Sequence, residues 1–452
     1  MCIKSTISYL KSKFILALIP LILLMGGCLS FDHTYEQLPP GMWRGVLYLD
    51  GRVEKIIPFE KKLYSKQDVM KYQPGKHQLP FLFEVKYLEP DSFVIVIHNG
   101  EERIVLDQVT YGRDPMTARD TLLIAFPLYD TYIHAVHDQG MMEGFWEVPA
   151  RGDYKIEFDA QYGNKSRFEV KNAHPVTNLT GKWKTRFGIE DSTGKSIEYA
   201  IGEFRQQGSH LTGTFMTETG DYRYLEGVVD GDQMRLSAFD GLHAFLFEAR
   251  IYGDGSLQGT FRSGKHYTTQ WDAVRDEEFE LRDPDTLTKV VRELPLEFRF
   301  PASDGRRVSL EDPPFQGKPV IIQIMGTWCP NCRDESAFLA EYFKAHPSSD
   351  VQVIATAFEK YEDTTRALQH LQLYKERMGM PYTLVLGGKL SRDAAIQAFP
   401  QLNHIMSYPT MLYLDRAHRI RFVHTGFSGP ATSAYPEFKR DFEEKVKEIS
   451  KP

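Results

Sequence analysis

The sequence predicts a multidomain protein in which a mostly-β region is followed by an α/β domain. In the first part, short alternating apolar runs such as residues 93–97 and 245–249 precede turns rich in Gly, Asp and Asn. Runs of this length between such turns are typical of antiparallel strands in a sandwich or barrel. After Leu294 the pattern changes to buried-strand runs that alternate with helical periodicity, which predicts a three-layer α/β domain.

The mostly-β region repeats a set of landmark residues in the same order. The motifs of the first unit are Gly41-Met42-Trp43, Ala125-Phe126, Gly144-Phe145-Trp146, Tyr154 and Phe158-Asp159-Ala160. Their counterparts in the second unit are Gly181-Lys182-Trp183, Ala238-Phe239, Gly259-Thr260-Phe261, Tyr267 and Trp271-Asp272-Ala273. Self-similarity in register predicts two tandem β sandwich or barrel domains, over about 40–160 and 178–274. One large β domain whose strands share a composition is the alternative.

The remainder of the chain divides into a linker and the α/β domain. The charged stretch 275–293 predicts a linker or short helix, and the α/β domain covers residues 294–452. Continuous apolar runs predict strands at residues 319–325, 351–358, 383–386, 410–414 and 420–423. Helical periodicity predicts helices at residues 331–344, 364–378 and 437–449.

Composition narrows the class of protein. The chain has 452 residues, of which 42% are apolar and 13% aromatic, enough for packed cores. Its formal net charge is −7, and the charges are interspersed rather than grouped in blocks. This balance does not provide the basic surface that a nucleic-acid partner requires.

The N-terminus has the pattern of an export signal. Three lysines precede an apolar run over residues 14–25, and a run this short fits a signal peptide better than a membrane-spanning helix. The sequence Leu24-Met25-Gly26-Gly27-Cys28 resembles a bacterial lipobox, which implies a signal peptide over 1–27 and a lipid on Cys28. Simple secretion and an uncleaved anchor are the alternatives. All three place the body outside the cytoplasm, in the cell envelope or periplasm, and the lipid would tether it to the inner or the outer membrane.

Cysteine use indicates redox chemistry. The chain has four cysteines; two lie near the N-terminus, and Cys329 and Cys332 form a pair that opens a predicted helix after a predicted strand. The free N–H groups and the dipole of a helix N-terminus stabilise a thiolate, and Pro330 suits the first helical position. We therefore expect Cys329 to attack and Cys332 to resolve, forming a redox-active disulfide without a further cofactor.

Two other readings of the pair remain open. A zinc site would need two more ligands, for which His404, His418 and His424 are candidates. A structural disulfide would close a loop of only two residues and so would stabilise the fold little. No metal is expected in the β region, where His134, His137 and His243 are typical of structural histidines.

Residues from about 294 to 450 resemble the TlpA/ResA group of exported thiol–disulfide oxidoreductases, which have a thioredoxin-like fold. The resemblance is carried by Asp304-Gly305, Gly317-Lys318, Trp328-Cys329-Pro330-Asn331-Cys332 and Ser407-Tyr408-Pro409-Thr410. It implies that Pro409 is cis and lies opposite the cysteines, so that the backbone of Tyr408 pairs with a bound polypeptide. An ordinary trans proline at the start of a strand is the alternative.

The resemblance also assigns roles to two neighbours of the cysteines. Glu335 matches a glutamate close to the active site of the group, which implies that it exchanges protons with Cys332 or raises the pKa of that thiol. A solvated glutamate in the first turn is the alternative. Trp328 is expected to shield the pair and to offer an apolar surface to substrates, or else only to pack.

Three positions depart from the family patterns or extend them. Gln323 stands where ordinary thioredoxins have a buried aspartate, and an amide cannot act as a base. Ala337 stands where the TlpA/ResA group has a proline, which predicts a straighter helix. Glu359, after the second strand, is either a further carboxylate of the site or an ordinary loop glutamate.

These features predict a membrane-anchored thiol–disulfide oxidoreductase that reduces, or oxidises, disulfides of exported proteins. Reduction implies a membrane electron donor, because cytosolic reductants cannot reach the site. Peroxide reduction is an alternative, although Gly326 occupies the place of the threonine or serine that precedes a peroxidatic cysteine. A binding lipoprotein in which the β units do the main work is a second alternative.

Overall fold

The computed structural model describes residues 37–50, 77–188 and 197–451. The predicted signal peptide over 1–27, with Cys28, lies outside these residues. Among the helices of the described ranges, none has both the length and the apolar character needed to cross a membrane.

The first part of the chain forms a nearly closed antiparallel barrel, called here the first barrel. Its strands are β1 Gly41–Tyr48, β2 Gln78–Glu89, β3 Ser92–Asn99, β4 Glu102–Leu106, β5 Val109–Arg113, β6 Asp120–Phe126, β7 Thr131–Asp138, β8 Met141–Glu147 and β9 Lys155–Tyr162. They are hydrogen-bonded in the order β4-β3-β2-β1-β9-β8-β7-β6-β5. The two end strands, β4 and β5, follow each other directly along the chain.

The next part forms a closed antiparallel barrel, called here the second barrel. Its strands are β10 Gly181–Phe187, β11 Glu198–Gln207, β12 His210–Thr217, β13 Gly220–Asp221, β14 Leu225–Asp230, β15 Gln233–Phe239, β16 Ala244–Ile251, β17 Leu257–Ser263 and β18 Tyr267–Arg275. Their order is β11-β10-β18-β17-β16-β15-β14-β12-β13. A further ladder between β11 and β12 closes the ring.

The sequence landmarks occupy equivalent positions in the two barrels. In the first, Gly144 pairs with Phe158 across the last two strands, and in the second Gly259 pairs with Trp271. A Cβ at either glycine would lie 1.9 Å from a carbonyl oxygen of the preceding strand, so both positions require glycine. The close approach of the preceding strand in both barrels explains why both units have a glycine at this position.

The second barrel has a core of its own and also contributes residues to the core of the first barrel. Phe239 of β15 is fully buried in the core of the first barrel, where its ring contacts those of Phe81 and Trp146. The Trp146 indole N–H donates to the Gly241 carbonyl oxygen over 2.9 Å. The buried Arg167 adds hydrogen bonds to backbone carbonyls of β2, β3 and β15. The barrels therefore pack as one body.

The last part is an α/β domain with a five-stranded sheet in the order β23-β22-β21-β24-β25. The strands of this sheet are β21 Val320–Met325, β22 Gln352–Glu359, β23 Thr383–Lys389, β24 Thr410–Leu414 and β25 Ile420–Thr425. A separate hairpin precedes it, with strands β19 Arg299–Pro301 and β20 Arg307–Ser309. Its helices are α1 Pro330–Ala345, α2 Thr364–Arg377, α3 Arg392–Ala398 and α4 Tyr435–Ile449. The strands β21, β22 and β23 are parallel, whereas β24 and β25 run antiparallel to their neighbours.

This architecture confirms the predicted fold class, a multidomain chain with a mostly-β region before a thioredoxin-like α/β domain. Two apolar clusters cover opposite faces of the central sheet, since Ile321 belongs to one and its neighbours Val320 and Ile322 to the other. The hairpin β19–β20 and the helix α3 were not predicted. The limits of the individual domains stay predictions.

Candidate active site

Cys329 lies where the central strand β21 passes into the helix α1. It is the N-cap residue, with φ −102° and ψ 120°, and its sulfur accepts the Cys332 backbone N–H over 3.1 Å. Pro330 takes the first helical position, where no N–H is needed. Cys329 and Cys332 form a disulfide with their Cα atoms 5.2 Å apart. The sulfur of Cys329 therefore faces the free donors of the first turn, which favour a thiolate.

The loop before β24 covers this disulfide. The peptide bond between Tyr408 and Pro409 is cis, and the Tyr408 carbonyl oxygen lies 3.4 Å from the Cys329 sulfur. The Gly426 N–H donates to the Pro409 carbonyl oxygen over 2.9 Å, which places the start of the β25–α4 loop beside it. Cys332 is fully buried, and only 4% of Cys329 is exposed.

Trp328 lies against the cis-proline loop and the first barrel. Its indole N–H donates to the Phe358 carbonyl oxygen over 2.9 Å, and its ring meets that of Tyr408 edge-on at 5.5 Å. The Lys360 ammonium lies 4.7 Å from the centre of the indole. A Cβ at Gly326 would lie 2.2 Å from the indole nitrogen. The place of a peroxidatic threonine or serine is thus filled by the tryptophan ring.

Glu335 is a fully buried carboxyl group on the face of α1 that carries Cys332. Burial raises its pKa to about 8, and the nearby Gln323 amide opposes this shift only in part. Neither of its oxygens has a hydrogen-bond partner among the described residues. The side chain is therefore protonated at neutral pH, and the solvated first-turn glutamate is not what the structure shows. Its role toward Cys332 stays a prediction.

Gln323 fixes the first turn of α1 from the sheet side. Its amide nitrogen donates to the Cys332 carbonyl oxygen over 3.3 Å, and its amide oxygen accepts the Ser336 hydroxyl over 3.1 Å. Both donor and acceptor capacities of the buried amide are used. The residue therefore holds the helix in place and offers no base for proton transfer.

Glu359 is a second buried carboxyl group, at the end of β22. Its two oxygens accept the backbone N–H and the hydroxyl of Thr327, each over 2.8 Å. Burial raises its pKa to about 7, against the effect of these hydrogen bonds. The carboxyl anchors the segment between β21 and Cys329, so it is part of the site rather than an ordinary loop glutamate.

The histidines named as zinc candidates do not converge on the cysteines. His418 lies against the Phe315 carbonyl oxygen, and His424 lies 2.9 Å from the Asp285 carboxylate. In the described part of the chain, one group has the spacing of metal ligands: Asp285, His424 and Asp441. The Lys445 ammonium already binds both carboxylates of this group.

An ion cluster beside the active site joins all three domains, and sequence reasoning did not identify it. Arg223, which follows β13 of the second barrel, donates to the Asp334 carboxylate over 2.8 Å and to the Pro330 carbonyl oxygen over 3.3 Å. It also binds the Glu102 carboxylate of the first barrel. These residues are more than a hundred positions apart along the chain, so no local pattern connects them.

A strand–helix junction with a Cys-x-x-Cys disulfide, placed beneath a cis-proline loop in this sheet order, defines a thioredoxin-like thiol–disulfide oxidoreductase. The redoxin family model matches residues 289–437, which include the junction and the cis-proline loop. We call the α/β domain the redoxin domain after this match, and the protein is an enzyme of this oxidoreductase class.

The chain is also similar to individual proteins. The chain is 27% identical over 165 residues to the thiol:disulfide interchange protein DsbE of Escherichia coli K12, covering 35% of this chain and 78% of that protein. It is 22% identical over 133 residues to sporulation thiol-disulfide oxidoreductase A of Bacillus subtilis 168, covering 29% and 73%. A solved thiol:disulfide interchange protein of the thioredoxin family from Chlorobium tepidum has 22% identity and a TM-score of 0.28, covering 36% of this chain and all of that one.

Glu335→Gln is expected to stabilise the redoxin domain increasingly as the pH rises. The pKa of this carboxyl is raised from 4.5 to about 8 on folding, so wild-type folding takes up a proton between these values and the folded state loses stability across that window. Glutamine does not ionise, so its advantage in unfolding free energy should grow by about 4 kcal/mol from pH 4.5 to pH 8. Urea unfolding, followed by the circular dichroism signal of the helices, measures the difference in unfolding free energy between the variant and the wild type.

The matched control for this substitution is Glu341→Gln, because Glu341 is an exposed residue of the same helix. Its unfolding free energy should follow that of the wild type at every pH. A pH-independent difference for Glu335→Gln would contradict the raised pKa.

Proposed function

We propose that this protein is a lipid-anchored reductase of the cell envelope that acts on disulfides of exported proteins. The observation that carries the proposal is the position of Cys329, capped by helix N–H groups and lying 3.4 Å from the Tyr408 carbonyl oxygen of the cis-proline loop. One relative is named a thiol:disulfide interchange protein, which supports a disulfide as the substrate. The proposed roles are Cys329 as the attacking thiol, Cys332 as the resolving thiol and Pro409 as the residue that shapes the docking loop.

The reaction starts from the dithiol form. The Cys329 thiolate attacks one sulfur of the client disulfide, an S–S bond forms between them, and the other client sulfur leaves and takes up a proton. The Cys332 thiol then loses its proton and attacks Cys329, which releases the second client sulfur as a thiol. The client gains two electrons and two protons, and the enzyme ends as the Cys329–Cys332 disulfide.

The enzyme disulfide must be reduced before the next cycle, which requires a donor with two thiols. We propose that this donor is a membrane electron carrier. The donor thiolate attacks Cys329, and Cys332 leaves as a thiolate in the buried interior. The second thiol of the donor then attacks the donor sulfur bound to Cys329, so Cys329 is released as a thiol and the donor ends as a disulfide. Glu335 is protonated when the disulfide is present, because its pKa is about 8, and it lies one helical turn from Cys332. We assign it the role of proton donor to that leaving thiolate. Trp328 and the Tyr408 backbone are assigned to contact the client.

The exchange mechanism predicts a trapped intermediate. Reduced Cys332→Ser should accumulate a mixed disulfide between Cys329 and a model protein disulfide such as insulin, because no resolving thiol is left. Cys329→Ser should form no adduct, and wild type should reduce insulin without one accumulating. Non-reducing electrophoresis and peptide mass mapping report the outcome. An insulin-reducing activity that survives in the double serine variant would refute the mechanism.

The direction of electron flow is tested by the reduction potential. Equilibration of the full chain with glutathione buffers should give a value near the roughly −270 mV of thioredoxin, as a reductase requires. A value near about −120 mV, typical of a strong oxidant, would reverse the proposed direction.

The anchor is tested separately at Cys28. Cys28→Ser should move the protein from the membrane to the soluble envelope fraction, because stable attachment would depend on the lipid carried by that sulfur. Cys2→Ser is the matched control and should stay with the membrane, since residue 2 belongs to the predicted signal peptide. An unchanged membrane fraction for Cys28→Ser would rule out lipidation at this residue as the anchor.

A further inference from the structure

The surface through which a client reaches Cys329 is formed by three adjacent loops. They are the Cys329–Cys332 turn, the cis-proline loop at Tyr408, and the β25–α4 loop, whose Gly426 donates to Pro409. A client sulfur must approach the Cys329 sulfur through this surface, because exchange needs direct attack. With 4% of Cys329 exposed, that approach is closed in this structure.

We propose that a turn of the second barrel, residues 216–223, is an internal cap on this client surface. At the turn between the cysteines, a Cβ added to Gly220 would lie 1.8 Å from the Asn331 amide nitrogen. At the β25–α4 loop, a Cβ on Gly426 would lie 2.8 Å from the Thr219 backbone. The cap is thus in backbone contact with two of the three loops.

Hydrogen bonds hold the cap in place on the same two loops. The Gly429 N–H donates to the buried Asp221 carboxylate over 2.7 Å, and the Arg223 guanidinium donates to the Pro330 carbonyl oxygen between the cysteines. Arg223 also binds Asp334 of α1 and Glu102 of the first barrel. Separating one partner of a buried ion pair is costly, so the capped arrangement is the resting one.

The cap occupies the surface but cannot react there. The four cysteines of the chain are Cys2, Cys28, Cys329 and Cys332, so the cap offers no thiol or disulfide to Cys329. It therefore competes with clients instead of acting as one. Clients reach Cys329 only in the fraction of molecules in which the cap has moved away, and the apparent exchange rate is the rate of the open form multiplied by that fraction.

The test measures the accessibility of Cys329 in the reduced full chain. Iodoacetamide alkylation of Cys329, followed by peptide mass mapping at several pH values, gives a rate constant for its thiolate. Gly220→Ala places a methyl group against Asn331 and should raise that rate about tenfold, an opening shift of about 1.4 kcal/mol. The matched control is Gly255→Ala in the same barrel, at a turn glycine with φ +82° and open space around it, which should leave the rate unchanged.

A second pair of variants tests the cap without a new methyl group. Arg223→Gln removes the charge that binds Asp334 and Glu102 and should also accelerate alkylation. Arg186→Gln breaks an ion pair with Asp272 on the surface of the second barrel and should leave the alkylation rate unchanged. Equal rates for wild type, Gly220→Ala and Arg223→Gln would overturn the cap, and so would equal acceleration by the two controls.

This inference rests on the proposed function for the nature of the client, but alkylation reads Cys329 directly. Failure of the full chain to reduce insulin, combined with faster alkylation of the two cap variants, would refute the proposed function and leave the cap standing. Insulin reduction with identical alkylation rates in all variants would refute the cap alone.

Discussion

The start of helix α1 at the end of the central strand is the constraint on which the rest of the site depends. The strand is buried on both faces, so the sheet fixes the position of its last residue, Met325, and with it the N-cap at Cys329. Gln323 on the strand and Thr327 after it bind, respectively, the first turn of the helix and the Glu359 carboxyl. The reactive sulfur is therefore held by the same interactions that stabilise the core, and its chemistry follows from that position.

Burial has a different effect on each ionisable group near this junction. A thiolate at Cys329 is compensated by N–H donors, whereas Glu335 has no partner among the described residues and keeps its proton. Glu359 is buried to a similar degree but accepts two hydrogen bonds, and its pKa is raised less, to about 7. Hydrogen bonding thus distinguishes two buried carboxyl groups of one domain: Glu335, one helical turn from Cys332, keeps its proton, and Glu359 anchors a loop.

Local patterns in the sequence predicted the cysteine pair, the proline of the docking loop and most elements of the redoxin domain, because each depends on residues close along the chain. The helix α3 was missed since its seven residues give too short a periodic pattern. The sequence left Glu359 ambiguous, because its two donors belong to Thr327, which lies 32 positions away in the turn between β21 and α1. The cluster of Arg223, Glu102 and Asp334 was beyond reach, since it forms only when three domains pack together. Gly144 and Gly259 show the opposite case: each is required by a contact with the preceding strand, and the same requirement in both barrels produces a repeated motif in the sequence.

The connection between the second barrel and the redoxin domain limits how the two can separate. On one side, Arg282 is bound to Glu218 of the second barrel, 2.6 Å from its carboxylate. On the other side, Asp285 is bound to His424 and Lys445 of the redoxin domain. Two residues, 283 and 284, lie between these attachments, so little chain is available to separate the second barrel from the redoxin domain. Glu218 belongs to the cap, so a rotation that preserves both attachments keeps this end of the cap close to the redoxin domain, and full release of the cap requires the exposed Arg282–Glu218 pair to break. Because one apolar cluster contains residues of both barrels, the two barrels would move together when the cap opens.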